Sequence, residues 1–444
     1  MNRTGGSRAA GFCLFLLFWP VAVVAQEAVP DTADRQDAAG PQSADADSLE
    51  FKSGYDDVVV AGGATSVGAD LQDDDLDKNP LLGVNVVGRV FDKYYAAKRW
   101  LNKKLRLSVG LDYSFLNQWS NFSETDTQAA SGVFRIFGTW RVFGSKQKLS
   151  GNIVYRFENR HLIGSGITPR DLGFDGGSSL STATFKEFGW GNTILYWKQT
   201  FKNERYGFVF GTMDPGDFSD TYVMLTAYKA FMNDAYFNNP TVALPQQGLG
   251  VTGWARFLEN WYVSGGLHDA NGSPTSWGFD TFFEVGELYT WAEAGWVPGD
   301  DALPGEGIHV NVWRQDARES EGTEDTWGVT FSANPVFGRR HARWSPFIRF
   351  GYSREDGGQL VRLLLAGGAG VVIRRSDLAG LATSWSGPVN SSLRNQVTTE
   401  AFYRLQLFEH LQVTPNIQFT INPSETLETD ALWIVSVLRM RLSF

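Results

Sequence analysis

The chain has 444 residues, a formal net charge of −10 and a mean hydropathy of −0.22, with 43% hydrophobic and 20% charged residues. Acidic residues outnumber basic ones 49 to 39, which argues against a nucleic-acid binder, and only the extreme N-terminus holds a long apolar run, which excludes a polytopic helical membrane protein. With 48 Gly, 16 Trp, 14 Tyr and 32 Phe in so polar a chain, many short strands are a better expectation than a helical bundle.

Arg3 and Arg8 precede an apolar stretch over residues 12–24, and Val23, Val24 and Ala25 offer small residues before Gln26. Residues 1–25 therefore read as a cleaved secretory signal peptide. Cys13 lies at the start of the apolar stretch rather than after it, which rejects a lipoprotein. The mature chain then has no cysteine, so no disulfide, thiolate metal site or cysteine nucleophile. Residues 26–82 are rich in Asp, Ala, Ser and Gln and too poor in apolar side chains to offset the entropy of ordering, which predicts a flexible acidic periplasmic tail. Asp73 to Asp77 suggests calcium, but the glycine and distal glutamate of an EF-hand loop are missing. Residues 83–104 read as one amphipathic helix, with Val87, Phe91, Tyr94, Lys98 and Leu101 near helical spacing.

From residue 105 onward the period is two. In residues 411–422 the odd positions are apolar (Leu411, Val413, Pro415, Ile417, Phe419, Ile421) and the even ones polar and uncharged (Gln412, Thr414, Asn416, Gln418, Thr420, Asn422). Residues 105–115 alternate in the same way. So do Ile153, Tyr155 and Phe157 against Asn152, Arg156 and Glu158, and Ile308, Val310 and Val312 against His309, Asn311, Trp313 and Gln315. Such segments are long enough to cross a bilayer as tilted strands. A soluble sandwich also alternates, so the last strand decides: Leu442, Met440, Leu438, Ser436, Ile434 and Leu432 oppose Ser443, Arg441 and Arg439, and the chain ends on Phe444. An amphipathic final strand ending on an aromatic residue resembles the signal that outer-membrane barrels present to their assembly machinery. The expectation is an all-β, transmembrane outer-membrane β-barrel over residues 105–444, with about sixteen antiparallel strands and a water-filled lumen.

The motifs with chemistry are weak. Gly248-Leu-Gly-Val-Thr-Gly253 matches a dinucleotide-binding pattern but enters an alternating strand instead of a helix. The five histidines are scattered without zinc-helix spacing, and no serine elbow or P-loop is present. His268-Asp269 is the nearest candidate for a barrel enzyme. No cofactor or metal is expected.

From Gly211 the sequence resembles the carbohydrate-selective porins of the OprB family. The first block is Gly211-Thr-Met-Asp-Pro-Gly-Asp-Phe218, Phe231, Asn233, Asn238-Asn-Pro240, Pro245, Gly248-Leu-Gly250, Asn260-Trp-Tyr262, His268-Asp-Ala-Asn-Gly-Ser-Pro274 and Gly278-Phe-Asp-Thr-Phe-Phe283. The second is Glu400-Ala-Phe-Tyr-Arg-Leu-Gln406, Leu411-Gln-Val-Thr-Pro-Asn-Ile-Gln418, Ile421-Asn-Pro423 and Leu438-Arg-Met-Arg-Leu-Ser-Phe444. The pattern is weaker between Ala302 and Gln396. The resemblance implies a barrel through which glucose-like sugars diffuse down their gradient.

A sugar channel needs donors and acceptors to replace hydration, and aromatic faces for the ring. Inward parity nominates Arg106, Arg135, Arg141, Arg156, Glu158, Arg256, Glu293, Arg349, Glu400 and Arg404, the neutral Asn311, Gln315, Gln412, Asn416, Gln418 and Asn422, and a stacking slide of Trp254, Trp291 and Trp313. Asp214 joins them from a block matching the family. Outward aromatics such as Trp140, Trp197, Trp296 and Phe331 suit interfacial girdles. The alternatives are a general or ion-selective porin, a barrel enzyme, and a secreted carbohydrate-binding β-protein. Expected partners are carbohydrate solutes, outer-membrane lipid and the barrel assembly machinery through Phe444, with no nucleic acid, in a monomer or homotrimer. Residues 26–82 carry 14 acidic and 3 basic residues and residues 83–444 carry 35 and 34, so the acidity is expected in the tail and not in the pore.

Overall fold

The computed structural model describes residues 51–444 apart from 59, 61, 84–87, 165, 179–180, 183, 301, 340–341, 355–356, 375 and 424–431. The signal peptide and the first half of the expected tail lie outside the described residues. Strands β1 (Leu107–Ser120), β2 (Gln128–Gly144), β3 (Leu149–Leu162), β4 (Gly189–Phe201), β5 (Tyr206–Met213), β6 (Gly248–Phe257), β7 (Trp261–Asp269) and β8 (Leu288–Trp296) form the first half of one sheet. The second half is β9 (Gly307–Gln315), β10 (Thr326–Asn334), β11 (Phe337–Arg339), β12 (Ala342–Ser353), β13 (Val361–Ile373), β14 (Asp377–Pro388), β15 (Gln396–Phe408), β16 (Leu411–Ile421) and β17 (Leu432–Ser443).

Each strand pairs antiparallel with its neighbours, and β17 returns to β1 with Asp112 opposite Ser443 and Ser120 opposite Val435, closing the sheet. Strands β10 and β11 both pair with β12 and are parted at Pro335, which has no N–H for the ladder, so together they are one stave of a sixteen-strand barrel. Closure removes every unpaired edge, which a bilayer demands. Turns at one end are short, as at 202–205 and 258–260, where Lys202, Asn203, Glu204, Leu258 and Glu259 take positive φ. The opposite end carries the long connections 163–188, 214–247 and 270–287.

The alternation is inverted relative to a soluble protein. On β9, Ile308, Val310 and Val312 are 44%, 46% and 50% exposed, while His309, Asn311 and Trp313 are at most 3% exposed. A sandwich would bury the apolar parity; here it faces outward, where lipid would cover it.

Residues 51–82 correct the expectation of a flexible tail. After a bridge between Phe51 and Leu76, helix α1 (Val67–Asp75) lies inside the barrel against β1, β2 and β3, capped by the Ser66 hydroxyl, which accepts from the Ala69 N–H. Tyr55 is fully buried, and its hydroxyl bonds Val109 at the start of β1, below the first residue that pairs with β17. Composition misjudged this segment because its aspartates are balanced by arginines that only the closed barrel gathers. Helix α2 (Gly88–Leu105) then runs along the short-turn end, with Phe91 stacked on His410 at 4.0 Å and Lys98 over Tyr55 at 4.9 Å.

Candidate permeation site

The longest connection, 214–247, folds inward and fills much of the lumen. Tyr222, Phe231, Tyr236 and Met224 pack with Phe347, Leu364 and Phe402 of the wall in one buried cluster. Two wall glycines make this approach possible: a Cβ on Gly351 would lie 2.2 Å from Thr241, and one on Gly370 would lie 2.6 Å from Met224.

Wall side chains then clamp the loop's backbone. Glu400 accepts from the N–H groups of Met232 at 2.8 Å and Asn233 at 2.9 Å, and Asn416 donates to the same carboxylate. Gln418 accepts from the Asn233 amide at 3.0 Å. Arg349 donates to the Asp220 carboxylate at 2.6 Å and to the carbonyl of Asn238, and His309 reaches Asp220 at 3.0 Å. Glu293 accepts from the Asp220 N–H and from the Tyr262 hydroxyl, both at 2.7 Å. Arg404 donates to the Lys229 carbonyl at 3.1 Å, and Arg439 to the carbonyls of Ala227 and Ala230.

Helix α1 supplies carboxylates to the wall and to the inward loop. Asp70 binds Arg135 at 3.0 Å and Lys229 at 2.7 Å, and Asp74 takes Arg441 in a two-point pair at 2.8 and 2.6 Å. Asp112 of β1 is shared between Arg135 and Arg441. Burial opposes ionisation of Asp74, but Arg441 outweighs it and holds the carboxyl down at about 2.

Two cavities lie among these groups. One of about 380 Å³ opens among the long loops and is lined by Arg135, Arg156, Glu158 and Arg160 of the wall, Asp214 and Asp217 of the inward loop, and Thr65 and Asp70 of the N-terminal segment. Its wall donors are fixed: Arg160 reaches Glu158 at 2.6 Å, and Arg156 reaches Glu158 at 3.1 Å and the Thr65 carbonyl at 3.2 Å. The other, about 930 Å³, lies toward the short turns and is lined by Gly62, Phe218, Trp254, Arg256, Tyr262, Glu293 and Asp300. The N-terminal segment and the inward loop meet between the two cavities, where the Gly63 N–H donates to the Asp217 carbonyl at 2.7 Å. Burial pushes Asp217 up to about 7, against the pull of Arg156 and with the push of Asp214. Lys186, in the lining of the smaller cavity, is brought down to about 7 by burial and by Arg160 and Arg170.

Of the nominated residues, Arg135, Arg156, Glu158, Gln315 and, from the family block, Asp214 meet at the smaller cavity, and Trp254, Arg256 and Glu293 at the larger. Arg349, Glu400, Arg404, Asn416 and Gln418 hold the inward loop. The three-tryptophan slide does not form: Trp291 and Trp313 are 5% and 3% exposed, in a cluster covered by Val242, Ala243 and Leu244. Arg106 is an exposed residue between α2 and β1, its guanidinium on the Gly144 carbonyl, and Arg141 lies at the short-turn end of β2 opposite Asn152. His268 directs both ring nitrogens to backbone carbonyls, of Asp269 at 2.8 Å and Met213 at 3.1 Å. Arg160, Asp217, Lys229 and Asp70 were missed. Arg160 shares the parity of Arg156 and Glu158 and was legible; the other three sit on segments without period two.

A closed sixteen-strand antiparallel barrel with a polar lumen narrowed by an inward loop defines the chain as a porin-type β-barrel. Residues 364–444 match the sequence model of the carbohydrate-selective porin, OprB family, so the resemblance read from the sequence is met over its second block, while the first block lies outside the matched residues. The high-pH structure of Pseudomonas putida OprB is similar with a TM-score of 0.60 at 14% identity, covering 79% of this chain and 97% of that one. An anion-selective porin from Comamonas acidovorans is similar with a TM-score of 0.51 at 11% identity, covering 76% of this chain and 99% of that one. These two likenesses speak for the fold. No curated protein matches the chain.

Proposed function

We propose that this chain is a bacterial outer-membrane porin that lets glucose-like carbohydrates diffuse passively through its lumen. The observation that carries this reading is the smaller cavity, where guanidinium donors and carboxylate acceptors face one another in fixed positions. A neutral polyol passing there exchanges hydration for hydrogen bonds of both polarities, and several modest contacts let it leave again. The chain acts as a channel and not as an enzyme, and its short turns face the periplasm, as in single-chain barrels. Phe444 would present the last strand to the assembly machinery, and the outward apolar parity would meet lipid.

Liposome swelling tests the reading. Vesicles bearing the purified protein should swell faster in glucose than in an amino acid of similar size. Equal rates would favour the general-porin alternative.

A further inference from the structure

The cations gathered around α1 outnumber the wall acids among them. Arg135 and Arg441 share one wall carboxylate, Asp112, and Lys229 of the inward loop stands beside them. Balance comes from a segment that precedes the strands: α1 brings Asp70 to Arg135 and Lys229, Asp73 to Lys229, and Asp74 to Arg441. Asp70 and Arg135 also line the smaller cavity.

Resting on the porin reading, we propose that Asp70 is a specificity-determining residue of the pore. Its carboxylate, inserted from the N-terminal segment, cancels a surplus of positive charge beside the smaller cavity that would otherwise draw anions in. The segment is thus a working part of the pore, and its acidity is the counter-charge of the arginine wall. A unit charge acting over about 6 Å through a water-like dielectric changes local ion concentration roughly threefold.

The test is the ratio of chloride to potassium permeability, read from reversal potentials across planar bilayers in a KCl gradient. Asp70→Asn raises chloride and lowers potassium together, so it should raise the ratio roughly tenfold, and Asp70→Asn/Lys229→Met should bring it most of the way back. Lys229→Met alone should lower it. An unchanged ratio in Asp70→Asn, or a shift that persists in the double variant, overturns the proposal. If Asp70→Asn yields no heat-modifiable barrel on gels, Lys229→Met decides: a fall supports the proposal and no change overturns it. Glucose swelling of the unaltered protein judges the sugar reading separately, since a pore without sugar preference would still show the ion shift.

Discussion

Replacing Arg349 should loosen the inward loop and widen the smaller cavity. The side chain is fully buried on β12 and donates to the Asp220 carboxylate at 2.6 Å, to the Asp220 carbonyl at 3.2 Å and to the carbonyl of Asn238. Arg349→Met leaves Asp220 buried with His309 as its remaining ionisable partner at 3.0 Å. Removing one member of a buried pair costs about 3–5 kcal/mol. Each 1.4 kcal/mol is about tenfold, so the docked state of this part of the loop should lose roughly two to four orders of magnitude in its favour. The grip of Glu400 on Met232 and Asn233 remains, so the loosening should centre on residues 234–240, several of which line the smaller cavity. Liposome swelling should show a disaccharide gaining on glucose, and protease should cut within 214–247 faster than in the parent. Asp220→Asn, which keeps the carbonyl acceptors of Arg349, should do less, and the double variant should fall short of the sum of the two. An unchanged disaccharide-to-glucose ratio together with an equally resistant loop would refute the clamp.

Raising the pH through about 7 ionises Asp217 and discharges Lys186, both in the lining of the smaller cavity. Both changes make the site more negative, so the chloride-to-potassium ratio should fall between pH 5 and 9; a flat profile would contradict the assignment. Val310 is 46% exposed at the middle of β9, so Val310→Arg should cost about 2–4 kcal/mol in urea unfolding from vesicles. A loss below about 1 kcal/mol would mean that this face does not meet hydrocarbon. Trp254→Ala should slow glucose swelling roughly two- to tenfold, as expected for about 0.5–1.5 kcal/mol of lost aromatic contact, whereas Trp313→Phe, beneath the loop, should leave it unaltered. Equal effects of the two would restore the slide.

The barrel was legible because period-two alternation is a local property. Ile308, Val310 and Val312 against His309, Asn311 and Trp313 state which residues share a face, and the final strand with Phe444 tipped the choice toward a membrane. Which polar residues meet a solute was only half legible. Parity brought Arg135, Arg156 and Glu158 to the wall of the cavity, but it treats Glu400 and Arg349 identically, and these hold backbone groups of the loop instead.

Sequence alone sufficed for the class of fold, its strand period and the polar lumen, since each follows from side-chain order along a strand. The interior was decided by contacts between residues far apart in the chain. Asp70 meets Arg135 across 65 positions and Asp74 meets Arg441 across 367. An aspartate-rich run of low hydropathy has no intrinsic reason to fold. It becomes ordered where barrel closure collects guanidinium groups whose burial would be unfavourable without it.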